Sequence, residues 1–314
     1  MTLTELKYIV AVARERHFGR AAEACFVSQP TLSVAIRKLE EELGVQLFER
    51  SHAEVSVTPV GEQIVEQAQR VLEQTNMLRE IARLGTDPLS GPLRVGIIYT
   101  IGPYLLPRLI RRTIVDAPQM PLILQENFTV KLLEQLRQGD IDVAILAEPF
   151  PEQGLMSQAV YDEPFVVAVP RHHAWAGRSA VSSRELKSET MLLLGTGHCF
   201  RDHVLEVCPE LSRYSQASAG IQKTFEGSSL ETIRHMVASG IGITVLPAMA
   251  RTDPGDDSLL CYVPFEAPAP MRRVSLAWRK SFPRLEAVAA LRQAVLDAEL
   301  PGVTKLPEEA RVAH

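Results

Sequence analysis

Two distant stretches of the chain share one pattern: Leu132 through Gly139-Asp140-Ile141-Asp142-Val143-Ala144-Ile145, and Ile233 through Gly240-Ile241-Gly242-Ile243-Thr244-Val245-Leu246. Each reads as a helix, a glycine stop and a strand-like apolar run. A strand of that kind is buried by packing helices onto its sheet, so two copies demand an α/β architecture with two similar subdomains. The neighbouring segments agree. Strand-like runs at Leu93 to Ile98, Leu122 to Gln125 and Ile141 to Ala147 alternate with helices from about Gly102 and Val130. A second set places strands at Phe165 to Val169, Met191 to Leu194, Ile221 to Glu226 and Ile243 to Leu246, with helices near Cys199 and Ser229. Val274 to Trp278 and a helix over Leu285 to Ala298 return to the first set. The first subdomain thus takes residues 93–162 and 268–300 and the second residues 163–267. Residues 301–314 hold two prolines and mixed charge without a core pattern, and read as a flexible tail.

The N-terminal part follows another rule. Leu3, Leu6, Ile9, Val10 and Ala13 recur at helical spacing, Gly19 to Ala24 form a small-residue helix, and Phe26-Val27 lead into Ser28-Gln29-Pro30-Thr31. Ser28 suits an N-cap and Pro30 is tolerated in a first turn. Leu32, Ala35, Ile36, Leu39 and Leu43 make the buried face, and Gly44 ends the helix. Two short helices joined by a tight turn describe a helix-turn-helix, with Ser28, Gln29, Pro30, Thr31, Ser33 and Arg37 offered to base edges; the plain alternative is a capped helix. Leu47 to Arg50 and Val55 to Val57, around polar residues 51–54, form a hairpin wing, where Arg50 is either a DNA contact or a surface charge. Residues 1–57 are therefore a winged helix-turn-helix.

Ile64, Ala68, Val71, Thr75, Leu78 and Ala82 then alternate spacings of four and three, the seam of a coiled coil. That makes residues 58–84 a linker helix for dimerisation, unless the helix simply packs on its own domain. Residues 85–92, rich in glycine and proline, form a hinge.

The 314 residues allow two or three domains, and 46% hydrophobic with 23% charged residues is ordinary for a globular protein. A net charge of −5 argues mildly against nucleic acid, but a large acidic remainder dilutes any small DNA-binding part. Four cysteines are too few for a secreted disulfide framework. The start does not look like a signal peptide, and no apolar run approaches the roughly 20 residues of a membrane span. A reducing cytoplasm is expected, where a cysteine pair is redox-active or metal-binding rather than structural.

Such a pair lies in Gly195-Thr196-Gly197-His198-Cys199-Phe200-Arg201-Asp202-His203 with Cys208. A helix starting near His198 would surround the Cys199 sulfur with unpaired N–H groups and a positive dipole end, which favours a thiolate. Nine helical residues carry Cys208 about 13.5 Å along the axis, whereas a disulfide needs Cα atoms within about 7 Å. If the two bond, the helix must unravel. Zinc held by His198, Cys199, His203 and Cys208 is the weaker alternative, because helical spacing scatters the four. Thr100 and Thr129 each follow an apolar run and precede a helix, so they are either N-caps or hydroxyls at strand ends facing a cleft. His203 reads as a solvated helix residue, and Cys25 and Cys261 as buried hydrophobes.

Ala21-Ala22, Ser28-Gln29-Pro30-Thr31-Leu32-Ser33, Ile36-Arg37-Lys38-Leu39-Glu40 and Leu47-Phe48-Glu49-Arg50 resemble the DNA-binding signature of LysR-type transcriptional regulators. Gly197 to Asp202 with Cys208, Gly102-Pro103-Tyr104-Leu105-Leu106-Pro107 and Ser228-Ser229-Leu230-Glu231-Thr232 resemble that family's peroxide-sensing branch. The likeness covers nearly all of the chain except the tail; Val34 departs from it, where many members carry a polar or basic residue. It implies a winged helix, a linker helix and a two-part effector domain like a periplasmic binding protein. It also implies promoter DNA, hydrogen peroxide and RNA polymerase as partners, dimers paired into tetramers, and neither cofactor nor membrane. By the same resemblance Cys199 attacks the peroxide and Cys208 resolves the sulfenic acid to a disulfide. Thr100 and Thr129 would hold the peroxide, within a polar shell of His198, Asp202 and Arg273; Arg272, adjoining Arg273, is the other choice. The expected protein is a regulator, not an enzyme. Two rivals stand beside it: a family member that senses a metabolite, and a thiol peroxidase with a DNA-binding appendage.

Overall fold

The computed structural model describes residues 1–50, 55–83, 87–208, 224–251 and 259–306. The chain divides into two compact units, Met1–Thr86 and Asp87–His314.

In the first unit α1 (Leu3–Glu15), α2 (Phe18–Ala24) and α3 (Gln29–Leu43) are followed by the antiparallel pair β1 (Phe48–Arg50) and β2 (Val55–Val57), then α4 (Pro59–Arg83). Ile9 and Val12 of α1, Ala21 of α2, Leu32, Ile36 and Leu39 of α3, and Leu47 are fully buried in one core. Each side chain of this size contributes about 1.5–3 kcal/mol when taken out of water. Leu43, read from the sequence as part of that face, lies beyond the core and is exposed. The linker helix joins both readings of its seam. Ala68 is buried and Ile64 and Val71 pack on the domain core, while Leu78 further along is 68% exposed. The wing's residues 51–54, the side chains of Arg50 and Ala82, and Gly85 and Thr86 of the expected hinge lie outside the described residues.

The second unit opens on a turn that Arg284 fastens down, donating to the carbonyls of Pro88, Ser90, Gly91 and Pro92. There follow β3 (Leu93–Ile98), α5 (Gly102–Asp116), β4 (Leu122–Asn127), α6 (Thr129–Gln138), β5 (Val143–Ala147) and β6 (Leu155–Pro170). Next come β7 (Met191–Leu194), α7 (Cys199–Val207), β8 (Thr224–Gly227), α8 (Leu230–Ala238) and β9 (Thr244–Pro247). The last elements are β10 (Leu260–Pro264), β11 (Met271–Arg279), α9 (Leu285–Asp297) and β12 (Thr304–Lys305). The three residues 221–223 of the expected strand before α8 lie outside the described residues.

The internal repeat is real in three dimensions. β3 lies parallel to β4 and β5, and β7 lies parallel to β8 with a parallel bridge from Met191 to Ile243, just before β9. Gly139 after α6 and Gly240 after α8 both take left-handed φ, 77° and 81°, where a side chain would be strained. β5 then pairs antiparallel with β11, and β9 antiparallel with β6. β6 serves both halves: its first part pairs with β11 up to Pro164, and its second pairs with β10 and β9. The sequence shows only that second part, because a proline argues against a continuous strand; here it falls where one ladder hands over to the next.

Two apolar cores result. One gathers Val95, Ile97, Leu105, Leu132, Ile145, Leu276 and Leu291; the other Val167, Leu192, Phe200, Val204, Ile233 and Val263. The tail departs from expectation. Thr304 and Lys305 pair with Asp162 and Tyr161 of β6, and the Leu306 N–H donates to the Val160 carbonyl. Two paired residues leave no periodic signal in a sequence; residues 307–314 lie outside the described set.

Candidate functional site

Two surfaces carry chemistry, one in each unit. On the first, Ser28 caps α3 as expected, its Oγ accepting the Thr31 N–H at 3.3 Å, and a proline occupies the first turn. Gly44 closes the helix at φ 69°. Ser28, Gln29, Pro30, Thr31 and Arg37 are exposed along one side, with Ser33 half-buried between them and Val34 exposed beside it. Sequence reasoning passed over Phe26. It sits in the turn before α3 with φ 57° and is 96% exposed, a costly conformation and setting for a large apolar side chain.

In the second unit a small pocket is lined by three runs of three residues: 98–100 at the end of β3, 127–129 at the end of β4, and 197–199 at the start of α7. Parallel strands open their binding clefts at such carboxyl ends. The pocket has room for about one water-sized molecule. Metabolite pockets run to about 300–1,000 Å³, so this one suits only a very small molecule.

Cys199 is the first residue of α7, and His198 is its N-cap without a capping side-chain bond. Neither threonine is a cap either: Ile101 and Phe128 hold those positions on α5 and α6. The Thr129 hydroxyl is buried with no hydrogen-bond partner among the described residues. An unmet group of this kind costs about 1–3 kcal/mol unless something small binds it. The Thr100 hydroxyl accepts from Arg272 Nη1 at 2.8 Å, which leaves its own proton free to donate into the pocket.

Arg272, not Arg273, stands behind this pocket. It is 2% exposed, bonds the Thr100 carbonyl at 2.9 Å and Glu163 at 2.8 Å, and lies under the Phe200 ring. Burial opposes its charge, but Glu163, Tyr161 and the nearby Cys199 sulfur outweigh that and hold its pKa above the ordinary value. Glu163 is satisfied in turn by the Met249 N–H at 2.9 Å. Arg273 points to the other face of β11, where it pairs with Asp162 at 2.8 Å. Adjacent strand residues face opposite ways, so only one of the two arginines can enter the core.

His198 lines the pocket; burial holds its imidazole below the usual pKa, against a hydrogen bond to the Ser228 backbone. Asp202, expected beside it, is exposed on the outer face of α7 together with Glu206. His203, read as solvated, is buried instead. Its Nε2 lies 3.0 Å from the Glu148 carbonyl, and burial followed by the Arg272 charge keeps its pKa low. Among the described residues no three His, Cys, Asp or Glu side chains converge on a metal position. Cys199 packs against the first apolar core, whereas Cys208, 4% exposed, belongs to the second. No disulfide joins them, and α7 runs between the two. Cys25 and Cys261 are half-buried in their own domains' cores.

Comparison with known proteins finds two family models along the chain. Residues 3–62 match the bacterial regulatory helix-turn-helix protein model of the lysR family, and residues 86–299 match the LysR substrate binding domain. A "Hydrogen peroxide-inducible genes activator" of Pectobacterium carotovorum subsp. carotovorum is 42% identical over 283 residues, 90% of this chain and 92% of the relative. The solved structure of a full-length Pseudomonas aeruginosa OxyR, carrying a cysteine-to-aspartate change, is 50% identical with TM-score 0.74, covering 98% of this chain and 99% of that one. A hydrogen-peroxide-bound mutant of Corynebacterium glutamicum OxyR is 34% identical with TM-score 0.63, covering 94% and 91%.

Proposed function

The chain belongs to the LysR family of bacterial regulators, and on that premise we propose that it is a DNA-binding transcription factor switched by hydrogen peroxide. It is a regulator, not an enzyme. One observation carries the reading: the Cys199 sulfur lines a pocket with room for one very small molecule, opposite an unpaired threonine hydroxyl. A metabolite does not fit that space.

The chemistry follows from the lining. Thr129 and Thr100 hold the peroxide by hydrogen bonds while the Cys199 sulfur attacks one oxygen. The S–O bond forms as the O–O bond breaks, and the departing oxygen leaves as water with the thiol's proton. Arg272, fixed by Glu163 and Thr100, favours the negative charge that passes through the site. The sulfenic acid then meets Cys208: its sulfur attacks, a second water leaves, and a disulfide closes. About 13.5 Å of helix rise must first be undone, so α7 unravels and the packing between the two cores changes. His198 lines the site; Asp202 lies exposed on α7, and Arg273 is held by Asp162 on the other face of β11.

The capped α3 presents Ser28, Gln29, Pro30, Thr31, Ser33 and Arg37 to the major groove, with Arg50 of the wing at the backbone. The exposed Leu78 on α4 supports a dimer through that helix, and effector units pairing dimers into tetramers would pass the change on to DNA spacing and RNA polymerase. No helix among the described residues is long and apolar enough to cross a membrane. A cytoplasmic setting, where DNA and thiol reductants coexist, suits both partners.

The test is a stoichiometric peroxide pulse on the reduced full-length protein, followed by thiol titration and peptide mapping. Two thiols lost per chain and a Cys199–Cys208 linked peptide are expected. Both cysteines surviving as thiols would return the chain to the metabolite-sensing class, and consumption of many equivalents with a reductant present would make it a peroxidase.

A further inference from the structure

The three runs that line the pocket share one more property. Their last residues, Thr100, Thr129 and Cys199, carry the chemistry; their middle residues, Tyr99, Phe128 and His198, are all aromatic and lie against one another. Phe128 meets His198 edge to face at 4.8 Å between ring centres, Tyr99 meets Phe128 at 5.3 Å, and Tyr99 meets His198 at 5.9 Å. At such separations the rings are in edge-to-face contact. Tyr99 and Phe128, 39% and 38% exposed, both line the pocket and reach solvent. His198 is buried beneath them.

We propose that Phe128, Tyr99 and His198 form a size filter over Cys199 that admits hydrogen peroxide and turns away hydroperoxides bearing a bulky alkyl group. The inference rests on the peroxide-sensing reading of the same site. The backbone is shaped for the roof. Gly197 has φ 96°, a left-handed turn that favours glycine, and it brings the Phe128 ring against the start of α7. Phe128 is also held at its backbone, its N–H donating to Asn127 Oδ1 at 3.0 Å. The reaction itself does not require a small oxidant. With an alkyl hydroperoxide the sulfur would bond the terminal oxygen, the O–O bond would break, and an alcohol would leave with the proton in place of water. Only the space above the sulfur distinguishes the two, and it has room for about one water-sized molecule. His198 joins the roof from the far subdomain, so the rings also span the seam along which the site is assembled.

The experiment measures second-order rates of Cys199 oxidation in the reduced full-length protein with hydrogen peroxide, tert-butyl hydroperoxide and cumene hydroperoxide. The readout is the ratio of the bulky to the small oxidant. A low ratio is expected for the wild-type chain, down by about a hundredfold, with Phe128→Ala raising it at least about tenfold and Tyr99→Ala by less, on the scale at which pockets reject extra bulk. Phe128→Leu, which keeps an apolar side chain on Gly197, carries the test should Phe128→Ala fold poorly, and its ratio should fall between the two. The filter is overturned if the wild-type chain reacts equally fast with cumene hydroperoxide. It is equally overturned if the folded Phe128 and Tyr99 variants leave the ratio within about twofold, since the rings would then be packing alone. A wild-type chain that loses no thiol to hydrogen peroxide strikes the sensor reading instead, which keeps the two failures apart.

Discussion

Helices α3 and α7 are built to opposite specifications. The recognition helix has 15 residues, a serine cap, a proline in its first turn, a left-handed glycine at its end and three fully buried side chains beneath it. Helix α7 has nine residues, no side-chain cap at His198, and Cys208 where a closing glycine would stand. Isolated helices shorter than about 12–15 residues are marginal in water, so α7 exists only through its packing. Phe200, His203 and Val204 supply that packing, with Arg201 bonding the Leu194 carbonyl at 2.7 Å and His203 bonding Glu148. A reader of base edges must present one geometry every time. A switch must be ordered enough to hold two sulfurs apart and weak enough to let them meet. Caps and length tell the two roles apart before any ligand is considered.

The largest expected effect is that of Cys199→Ser, which should reduce peroxide-driven thiol loss from two per chain to none while operator binding in a gel-shift assay persists. Continued peroxide response of promoter output in that variant would remove α7 from the switching role. Truncation of the two helices should then have different consequences. Ile36→Ala in α3 should cost about 2–5 kcal/mol of the first unit's stability in denaturant titrations. Val204→Ala in α7 should shorten the time from sulfenic acid to disulfide, because it loosens the helix that must open; an unchanged or slower closure would show that unravelling does not limit the switch. Smaller still, Ser28→Ala should cost about 1 kcal/mol and weaken DNA binding, a loss with no counterpart in α7, which has no such cap to remove.

The smallest effect is that of acid. His198 and His203 both bind a proton less readily in the folded chain than in an unfolded one, chiefly through burial; for His203 the Arg272 charge adds to this, while Glu206 and Asp202 oppose it. The unfolded state therefore takes up more protons, so this contribution is complete above the ordinary histidine pKa of about 6.5 and is lost as pH falls from there through the folded values. Melting temperatures of the second unit should decline between about pH 7.5 and 5, and His203→Gln should flatten the slope. A melting temperature that held steady or rose with acid would mean that these rings are not what ties α7 to its surroundings.

Much of this was legible in the residues. The Ser28 cap and the Gly44 stop bracket α3, the Gly139 and Gly240 turns announce the repeat, and Gly195 to Gly197 place the start of α7 at Cys199. Each of these signals is written within a few neighbouring positions, since helical period, caps and left-handed turns depend on local backbone geometry. Other features escaped for a common reason. Arg272 and Arg273 are equivalent as neighbours in a strand, and only the flanking strands β5 and β6 decide which one is swallowed. His203 looks like any polar helix residue until Phe165 and Glu148, far away in the chain, close over it. The tail's two paired residues and the full length of β6 are likewise set by partners rather than by pattern. The aromatic roof is the clearest case: Tyr99, Phe128 and His198 come from three separate segments, and nothing within reach of any one of them along the backbone says that the others will arrive. Local order is encoded where it occurs, whereas burial and cross-chain contact are properties of the assembled core, because which face turns inward depends on what distant residues bring to meet it.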